Sequence, residues 1–352
     1  QHREFVRTYD DGELYCHIFA GDAPKAIVFV MHGFGENINS FEEMGLELFK
    51  LGFAVVMYDQ RGFGRSSGQR GHMKSIEEWL VDGLTVLKRA KFHLESTSQL
   101  DIYLYGHSSG SLGALLLAYE LSKVKMSGKF DRDEFTSMMQ HQKTKQHKDQ
   151  QRLLEHLSKD LLEFAPLVKG CIATAPYFKV GAIVSEWEKK VVKLISKVAE
   201  KYTVGVEIPV ERLTTDPAMQ KELTKDHLRI SDMTVKQLSE WDRVATILLS
   251  QDVCKQFTCP IAVLHGTKDT VASAHASKQF YDCIASTDKQ YYFCKDFSHG
   301  IHIEEKRSGV FTFVSSWMTA RLQPSAELHV ENIPSVETED LTTEHSEIDI
   351  EV

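Results

Sequence analysis

The chain has 352 residues, 42% of them hydrophobic, and a formal net charge of −9 at neutral pH. This length and apolar content suffice for one sizeable core, and the acidic balance gives no support to nucleic-acid binding. The sequence contains no signal-like stretch and nothing near 18 consecutive apolar residues, so we expect a protein that does not span a membrane.

Runs typical of strands alternate with runs typical of helices along the chain. In order, they cover residues 26–31, 41–51, 53–58, 76–92, 102–105, 112–121, 168–173, 260–264 and 290–294. This alternation predicts an α/β fold with a mainly parallel central sheet and helices on both faces.

The first strand-like run leads directly into a glycine-rich loop, His32-Gly33-Phe34-Gly35-Glu36. One interpretation is a phosphate cradle, but the chain has neither G-x-G-x-x-G nor a P-loop lysine pattern, so nucleotide binding is the weaker interpretation. The other is an oxyanion site, to which the backbone N–H of Phe34 would contribute.

A second glycine motif, Gly106-His107-Ser108-Ser109-Gly110, lies between a strand-like run and a helix-like run. In this position G-x-S-x-G is typical of a nucleophile elbow, where a serine occupies a strained turn with its hydroxyl exposed. The glycines are needed because a side chain at either flank would collide with the neighbouring strand or helix. We therefore predict Ser108 as the nucleophile and the N–H of Ser109 as the second oxyanion donor.

Two long segments follow the elbow helix. Residues 123–163 are rich in Lys, Gln and His, and we expect a solvated insertion with helical ends and a mobile middle. Its histidines have no metal-site spacing, so we expect no metal there; they are His141, His147 and His156.

Residues 179–255 form an insertion that is long enough to be a cap over the active site. Residues 183–202 within it have an apolar helical stripe surrounded by lysines. The stripe could pack on the core, with the lysines solvated, or the helix could rest on an anionic membrane surface. The first interpretation is the simpler one.

A serine nucleophile needs a base and an orienting acid, and two late strands supply candidates. Asp269 follows the strand at 260–264 and is predicted as the acid. His299 follows the strand at 290–294 and is predicted as the general base, with His302 as the reserve. Asp296 is an alternative acid, but it is too close in sequence to His299 to come from a separate strand end.

The C-terminal segment of the chain is strongly acidic. Residues 322–352 contain nine acidic residues and no Lys or Arg, which predicts a disordered, solvating or partner-binding tail.

The cysteines are scattered without a C-x-x-C pair, so we expect small buried hydrophobes rather than disulfides or metal ligands. They are Cys16, Cys171, Cys254, Cys259, Cys283 and Cys294. This usage fits a reducing cytoplasmic location.

These motifs together resemble the monoacylglycerol lipase and lysophospholipase branch of the α/β-hydrolases. The resemblance covers most of residues 10–320 and rests on 32–36, 58–66, 106–110, Ala175-Pro176, Asp216-Pro217, 265–269 and 298–304. It implies a core in two parts, 1–178 and 256–321, with a helical cap at 179–255 and the tail at 322–352. It also implies the triad Ser108, Asp269 and His299, with Phe34 and Ser109 at the oxyanion.

The predicted function is a serine esterase acting on lipid-like carboxylic esters, monoacylglycerol or lysophospholipid, without a cofactor or a metal. Peripheral membrane contact through the cap belongs to this prediction. A short-chain carboxylesterase or a peptidase with the same triad is the alternative, and a non-catalytic scaffold is a third interpretation. Ser109 and Ser111 stand where the branch has methionine and glycine, which predicts a more polar acyl pocket floor.

Overall fold

The computed structural model describes residues 1–94, 100–139, 147–178 and 199–322. The strands of these ranges are β1 His2–Arg7, β2 Glu13–Phe19, β3 Ile27–Met31, β4 Ala54–Tyr58, β5 Ile102–His107, β6 Val168–Thr174, β7 Thr203–Gly205, β8 Asp232–Thr234, β9 Ile261–Gly266 and β10 Lys289–Cys294. The helices are α1 Glu42–Lys50, α2 Ile76–His93, α3 Ser109–Ser127, α4 Arg132–Met138, α5 His147–Phe164, α6 Pro217–Lys225, α7 Val235–Leu248, α8 Gln251–Gln256, α9 Ala274–Cys283 and α10 Arg307–Ala320.

The central sheet has the strand order β1-β2-β4-β3-β5-β6-β9-β10. All neighbours from β4 to β10 are parallel, while β1 pairs antiparallel with β2 and β2 with β4. The predicted mainly parallel sheet is therefore confirmed. The sequence analysis missed β1 and β2. The edge strand β1, with most of its side chains exposed, lacks the continuous apolar run of a buried parallel strand. In β2, which is mostly buried, the polar residues Glu13 and His17 interrupt that run.

Successive side chains of β3 enter two different cores. Ile27 and Phe29 pack on one face of the sheet with residues of α2, α3 and α5, whereas Val28 and Val30 pack on the other face with residues of α1 and α10. This alternation follows from the two-residue period of a strand. It confirms the prediction of helices on both faces.

The charged insertion is more firmly packed than the sequence suggested. Its ends are helical, as predicted, since α3 continues to Ser127 and α5 occupies the second half. However, Leu157 and Leu161 of α5 are fully buried in the core, and Asp160 pairs with Lys88 of α2 at 2.9 Å. The expectation of a solvated insertion is therefore wrong for α5. The expected mobile middle, including His141, lies outside the described residues.

The described part of the cap region, residues 199–255, contains the short antiparallel pair β7–β8 and the helices α6 and α7. Most of the predicted amphipathic helix at 183–202, and the acidic tail from residue 323 onward, lie outside the described residues. Within the described ranges, no helix has both the length and the apolar character required to cross a bilayer.

One expectation about the cysteines is wrong. Cys254 of α8 and Cys283 of α9 form a disulfide across a sequence separation of 29 residues. The two helices bring these Cα atoms within 5.3 Å, which is a bridgeable separation that the spacing along the sequence does not reveal. The other four cysteines are free and buried, as expected: Cys16, Cys171, Cys259 and Cys294.

Candidate active site

Ser108 lies on a strained turn between the end of β5 and the start of α3. Its backbone has φ +52° and ψ −123°, a region that non-glycine residues rarely adopt. A Cβ on Gly106 would lie 2.5 Å from the Cα of Ser111, and one on Gly110 would lie 2.3 Å from the carbonyl oxygens of Met31 and His32. Gly106 thus lets the start of α3 pack directly on the end of β5, and Gly110 lets the elbow pack directly against the end of β3.

We expect Gly110→Ala to lower the free energy of unfolding by about 3 kcal/mol or more, since the methyl group would meet backbone that cannot move aside. Gly309→Ala is the matched control: it lies in α10 with nothing within 4 Å of the added Cβ, and it should stabilise by about 0.5–1 kcal/mol. Urea unfolding measures both. Equal stabilities of the two variants would contradict the assignment of a close-packed elbow.

The structure brings Ser108, His299 and Asp269 into one hydrogen-bonded row. His299 Nε2 lies 2.8 Å from Ser108 Oγ, and His299 Nδ1 lies 2.8 Å from Asp269 Oδ2. The three residues follow β5, β10 and β9, respectively, and parallel strands present their carboxyl ends at one edge of the sheet. This topology explains why residues so distant in the sequence meet.

Asp269 is held as an ionised acceptor. Its Oδ1 accepts the backbone N–H groups of Val271 at 2.7 Å and Ala272 at 3.0 Å, and its Oδ2 also lies 3.0 Å from His265 Nε2. Burial alone would raise the pKa of Asp269, but His299 and His265 hold it well below the usual range. Because an ionised carboxylate only accepts hydrogen bonds, His299 Nδ1 carries the proton and its Nε2 is free to accept from Ser108.

The two residues predicted as oxyanion donors lie beside Ser108. Phe34 and Ser109 both line the same pocket as Ser108 and His299. The N–H of Ser109 is the first of α3 and has no acceptor within the helix. The loop bearing Phe34 is fixed by Gly33, whose N–H donates to Glu36 Oε2 at 2.8 Å. The sequence analysis did not identify this anchoring by Glu36, for which the loop composition carries no signal.

The alternative base His302 and the alternative acid Asp296 lie outside the hydrogen-bonded row. His302 Nε2 faces Glu36 Oε1 at 3.4 Å, while the imidazole bonded to Ser108 is that of His299. Asp296 is an exposed residue that pairs with Lys268 at 2.8 Å. The structure thus separates both reserve groups from the hydrogen-bonded row, and it adds His265, whose contact with Asp269 the sequence analysis did not predict.

The pocket in front of Ser108 is lined mainly by apolar side chains. Those from the cap region are Val206, Ile208, Leu213, Met233 and Trp241, and Tyr177 and Val271 come from the core. Ser111 is absent from the lining because it is fully buried and its hydroxyl donates to the carbonyl of Gly106 at 2.8 Å. The expected polar contribution of Ser111 to the pocket floor is therefore wrong, and only Ser109 reaches the pocket.

Comparison with known proteins gives a consistent result. The sequence profile of the family described as "Serine aminopeptidase, S33" matches residues 22–129 and 158–306. An uncharacterized abhydrolase domain-containing protein of Dictyostelium discoideum is 27% identical over 303 residues, 85% of this chain and 27% of that protein. A putative monoglyceride lipase of Schizosaccharomyces pombe is 27% identical over 322 residues, 90% of this chain and 73% of that protein. The chain thus spans only about a quarter of the Dictyostelium relative.

Among solved structures, a soluble variant of monoglyceride lipase from Saccharomyces cerevisiae, in complex with a substrate analog, matches with a TM-score of 0.72. The sequence identity is 15%, and the match covers 92% of this chain and 96% of that one. At this identity the likeness shows the fold alone. It confirms the α/β-hydrolase fold that the sequence predicted.

Proposed function

The chain belongs to the serine aminopeptidase S33 family of α/β-hydrolases, and on this premise we propose that it is a serine esterase acting on lipid-like carboxylic esters. Monoacylglycerol and lysophospholipid are the proposed substrate class. The observation that carries the proposal is the hydrogen-bonded row of Ser108, His299 and Asp269, which opens onto an apolar pocket beneath the cap region.

In the proposed mechanism Ser108 Oγ attacks the ester carbonyl while His299 Nε2 takes its proton. Asp269 stabilises the imidazolium, and the backbone N–H groups of Phe34 and Ser109 donate to the oxyanion. His299 then returns the proton to the leaving alcohol, and the C–O bond of the ester breaks to leave an acyl-enzyme. A water molecule, deprotonated by the same imidazole, releases the acid and restores the Ser108 hydroxyl.

An ester series graded by acyl length tests the substrate class. Each methylene buried in the pocket contributes about 0.8 kcal/mol, so kcat/KM should rise by up to about fourfold per methylene until the pocket is filled. Ile208→Asp should flatten this rise, because it puts a charge in the lining. Val210→Asp is the matched control. It lies two residues away, is similarly half-buried and packs against the same small cluster as Ile208, but it does not line the pocket.

The same series separates the alternatives. Highest activity on acetate esters, with no gain on longer chains, would replace the lipid-like substrate by a short ester. Amino-acid anilides serve as the peptidase arm, which the family's description makes the second candidate. Cleavage of these anilides faster than any ester would favour a peptidase and contradict the proposed substrate class.

Contact with a lipid surface through the cap is the part of the proposal that rests on sequence alone. The lysines around the apolar stripe of residues 183–202 supply the charge that anionic headgroups attract. We expect co-sedimentation with anionic vesicles that falls when Lys189, Lys190 and Lys193 are replaced by glutamine. Sedimentation that depends on neither lipid charge nor these lysines would mean that the stripe only packs on the core.

A further inference from the structure

Three metal-ligating side chains face one another directly beside the proposed catalytic row. Glu36, His107 and His302 are all buried, with exposed fractions of 8%, 1% and 1%. Glu36 Oε1 lies 3.4 Å from His302 Nε2 and 3.9 Å from His107 Nε2. All three ligand atoms lie within 4.8 Å of one another.

Hydrogen bonds to surrounding residues engage one polar atom each of Glu36 and His107, and the other polar atom of each side chain faces the group. Glu36 Oε2 accepts the N–H of Gly33, so Oε1 is the free carboxylate oxygen. His107 Nδ1 lies 3.1 Å from the hydroxyl oxygen of Thr174, and that hydroxyl donates to the carbonyl of Gly106. In the tautomer that donates from Nδ1 to Thr174 Oγ1, His107 presents the lone pair of Nε2 toward Glu36 and can act as a ligand.

The ring of His302 is held in place by stacking rather than by hydrogen bonds. Its ring stacks on Phe41 with a centroid separation of 3.9 Å and an interplanar angle of 9°. In the part of the chain that the structure describes, neither ring nitrogen makes a hydrogen bond of good geometry, and the polar contact of Nε2 is with Glu36 Oε1 at 3.4 Å. A buried imidazole that lacks well-formed hydrogen bonds is costly. A cation bound between Glu36, His107 and His302 would remove this cost.

We propose that Glu36, His107 and His302 bind a divalent transition-metal ion, with Zn²⁺ as the best fit. Zinc takes nitrogen and carboxylate oxygen at about 2.0–2.2 Å, which in a tetrahedron separates the ligand atoms by about 3.4 Å. The two separations from Glu36 Oε1, 3.4 and 3.9 Å, are close to this value, and the two histidine nitrogens lie within 4.8 Å of each other. Thr174 and Gly33 supply the outer hydrogen bonds that orient a ligating histidine and carboxylate.

The three side chains are reached from the substrate side of the protein. An ion can enter through the substrate pocket, because Glu36 and His107 both line it.

The expected consequence is inhibition, a step that rests on the proposed function. The ring of His107 lies 5.0 Å from that of His299, so a bound cation would place positive charge beside the imidazole that must become an imidazolium during attack. Mutual repulsion of the two charges at this distance opposes catalysis. Bound Zn²⁺ would therefore act as an inhibitor of the esterase.

No pattern in the sequence indicated this site. The expectation of no metal came from the spacing of histidines in the insertion, whereas Glu36, His107 and His302 are far apart along the chain. His107 ends β5, and Glu36 and His302 follow β3 and β10, so only the folded sheet places them together.

The test measures metal binding independently of activity. A second potential group, His2, Glu4 and His93, lies at the surface, so the reference protein is the full chain carrying His93→Gln. We expect this protein to bind one Zn²⁺ by calorimetry and, with Co²⁺, to show the visible absorption of a tetrahedral site. Zn²⁺ at micromolar concentration should reduce ester hydrolysis at least tenfold. Adding His302→Gln should remove binding, absorption and inhibition, and adding Glu36→Gln should remove binding and absorption.

Two outcomes of the binding measurements would contradict the metal site. Zn²⁺ bound equally well after both ligand replacements, or no Zn²⁺ and Co²⁺ bound by the reference protein, would overturn the site. The thermal midpoint without metal checks that each variant is folded, and the isosteric Glu36→Gln serves if His302→Gln is not. Co²⁺ absorption in a protein that hydrolyses no ester would support the metal site while contradicting the proposed esterase function.

Discussion

Ser108→Ala is expected to reduce kcat for ester hydrolysis by about 10⁴–10⁶-fold while leaving the fold intact. Without the hydroxyl no acyl-enzyme can form, and only the oxyanion donors and substrate binding would still assist direct attack by water. Ser108 is only 6% exposed and caps no helical N–H with its side chain, so its removal should change the free energy of unfolding little.

Ser111→Ala is the matched control for this experiment. It removes another hydroxyl from the same elbow, but one that donates to the carbonyl of Gly106 rather than facing the pocket. We expect activity within a few-fold of the unmodified protein and a loss of about 1 kcal/mol in the free energy of unfolding. A full loss of hydrolysis in Ser111→Ala, with activity retained in Ser108→Ala, would contradict the assignment of the nucleophile.

Asp269→Asn is expected to lower kcat by about 10³–10⁴-fold. The asparagine amide can donate to His299 Nδ1, which would place the imidazole proton on Nε2. In that tautomer Nε2 cannot accept the proton of Ser108. Steady-state kinetics should show the loss mainly in kcat, since the carboxylate lies behind the imidazole and does not line the pocket.

Asp296→Asn controls for the loss of a carboxylate near His299 in the sequence. Asp296 is exposed and pairs with Lys268, and a surface pair of this kind contributes little. We expect wild-type kinetics from it. If Asp296→Asn lost activity and Asp269→Asn retained it, the roles assigned to the two carboxylates would be wrong.

The parallel part of the fold could be predicted because its strands are buried on both faces. Strands such as β3 and β4 appear in the sequence as unbroken apolar runs, and the elbow glycines mark the turn that follows β5. The order of serine, aspartate and histidine, each shortly after a strand-like run, then suggested the site. The strand β1 gave no such signal, because at the sheet edge most of its side chains are exposed.

What the sequence could not predict depends on distances between separate loops. The Cys254–Cys283 bond, the contact of His265 with Asp269 and the anchoring of Gly33 by Glu36 all follow from how the chain packs. For the Ser111 hydroxyl, the sequence suggested a contact with the pocket that the packing does not allow. Its polarity suggested a polar pocket, but a backbone carbonyl of the elbow already accepts its hydrogen bond.

The most direct test of the central claim is labelling with a fluorophosphonate probe, followed by mass spectrometry of the labelled peptide. A serine activated by His299 should react at Ser108 alone, and Ser108→Ala should remain unlabelled although folded. His299→Ala should also label far more slowly, because the hydroxyl would have no base within reach. Undiminished labelling of Ser108→Ala, or a label on another serine of the native chain, would contradict the mechanism proposed for this protein.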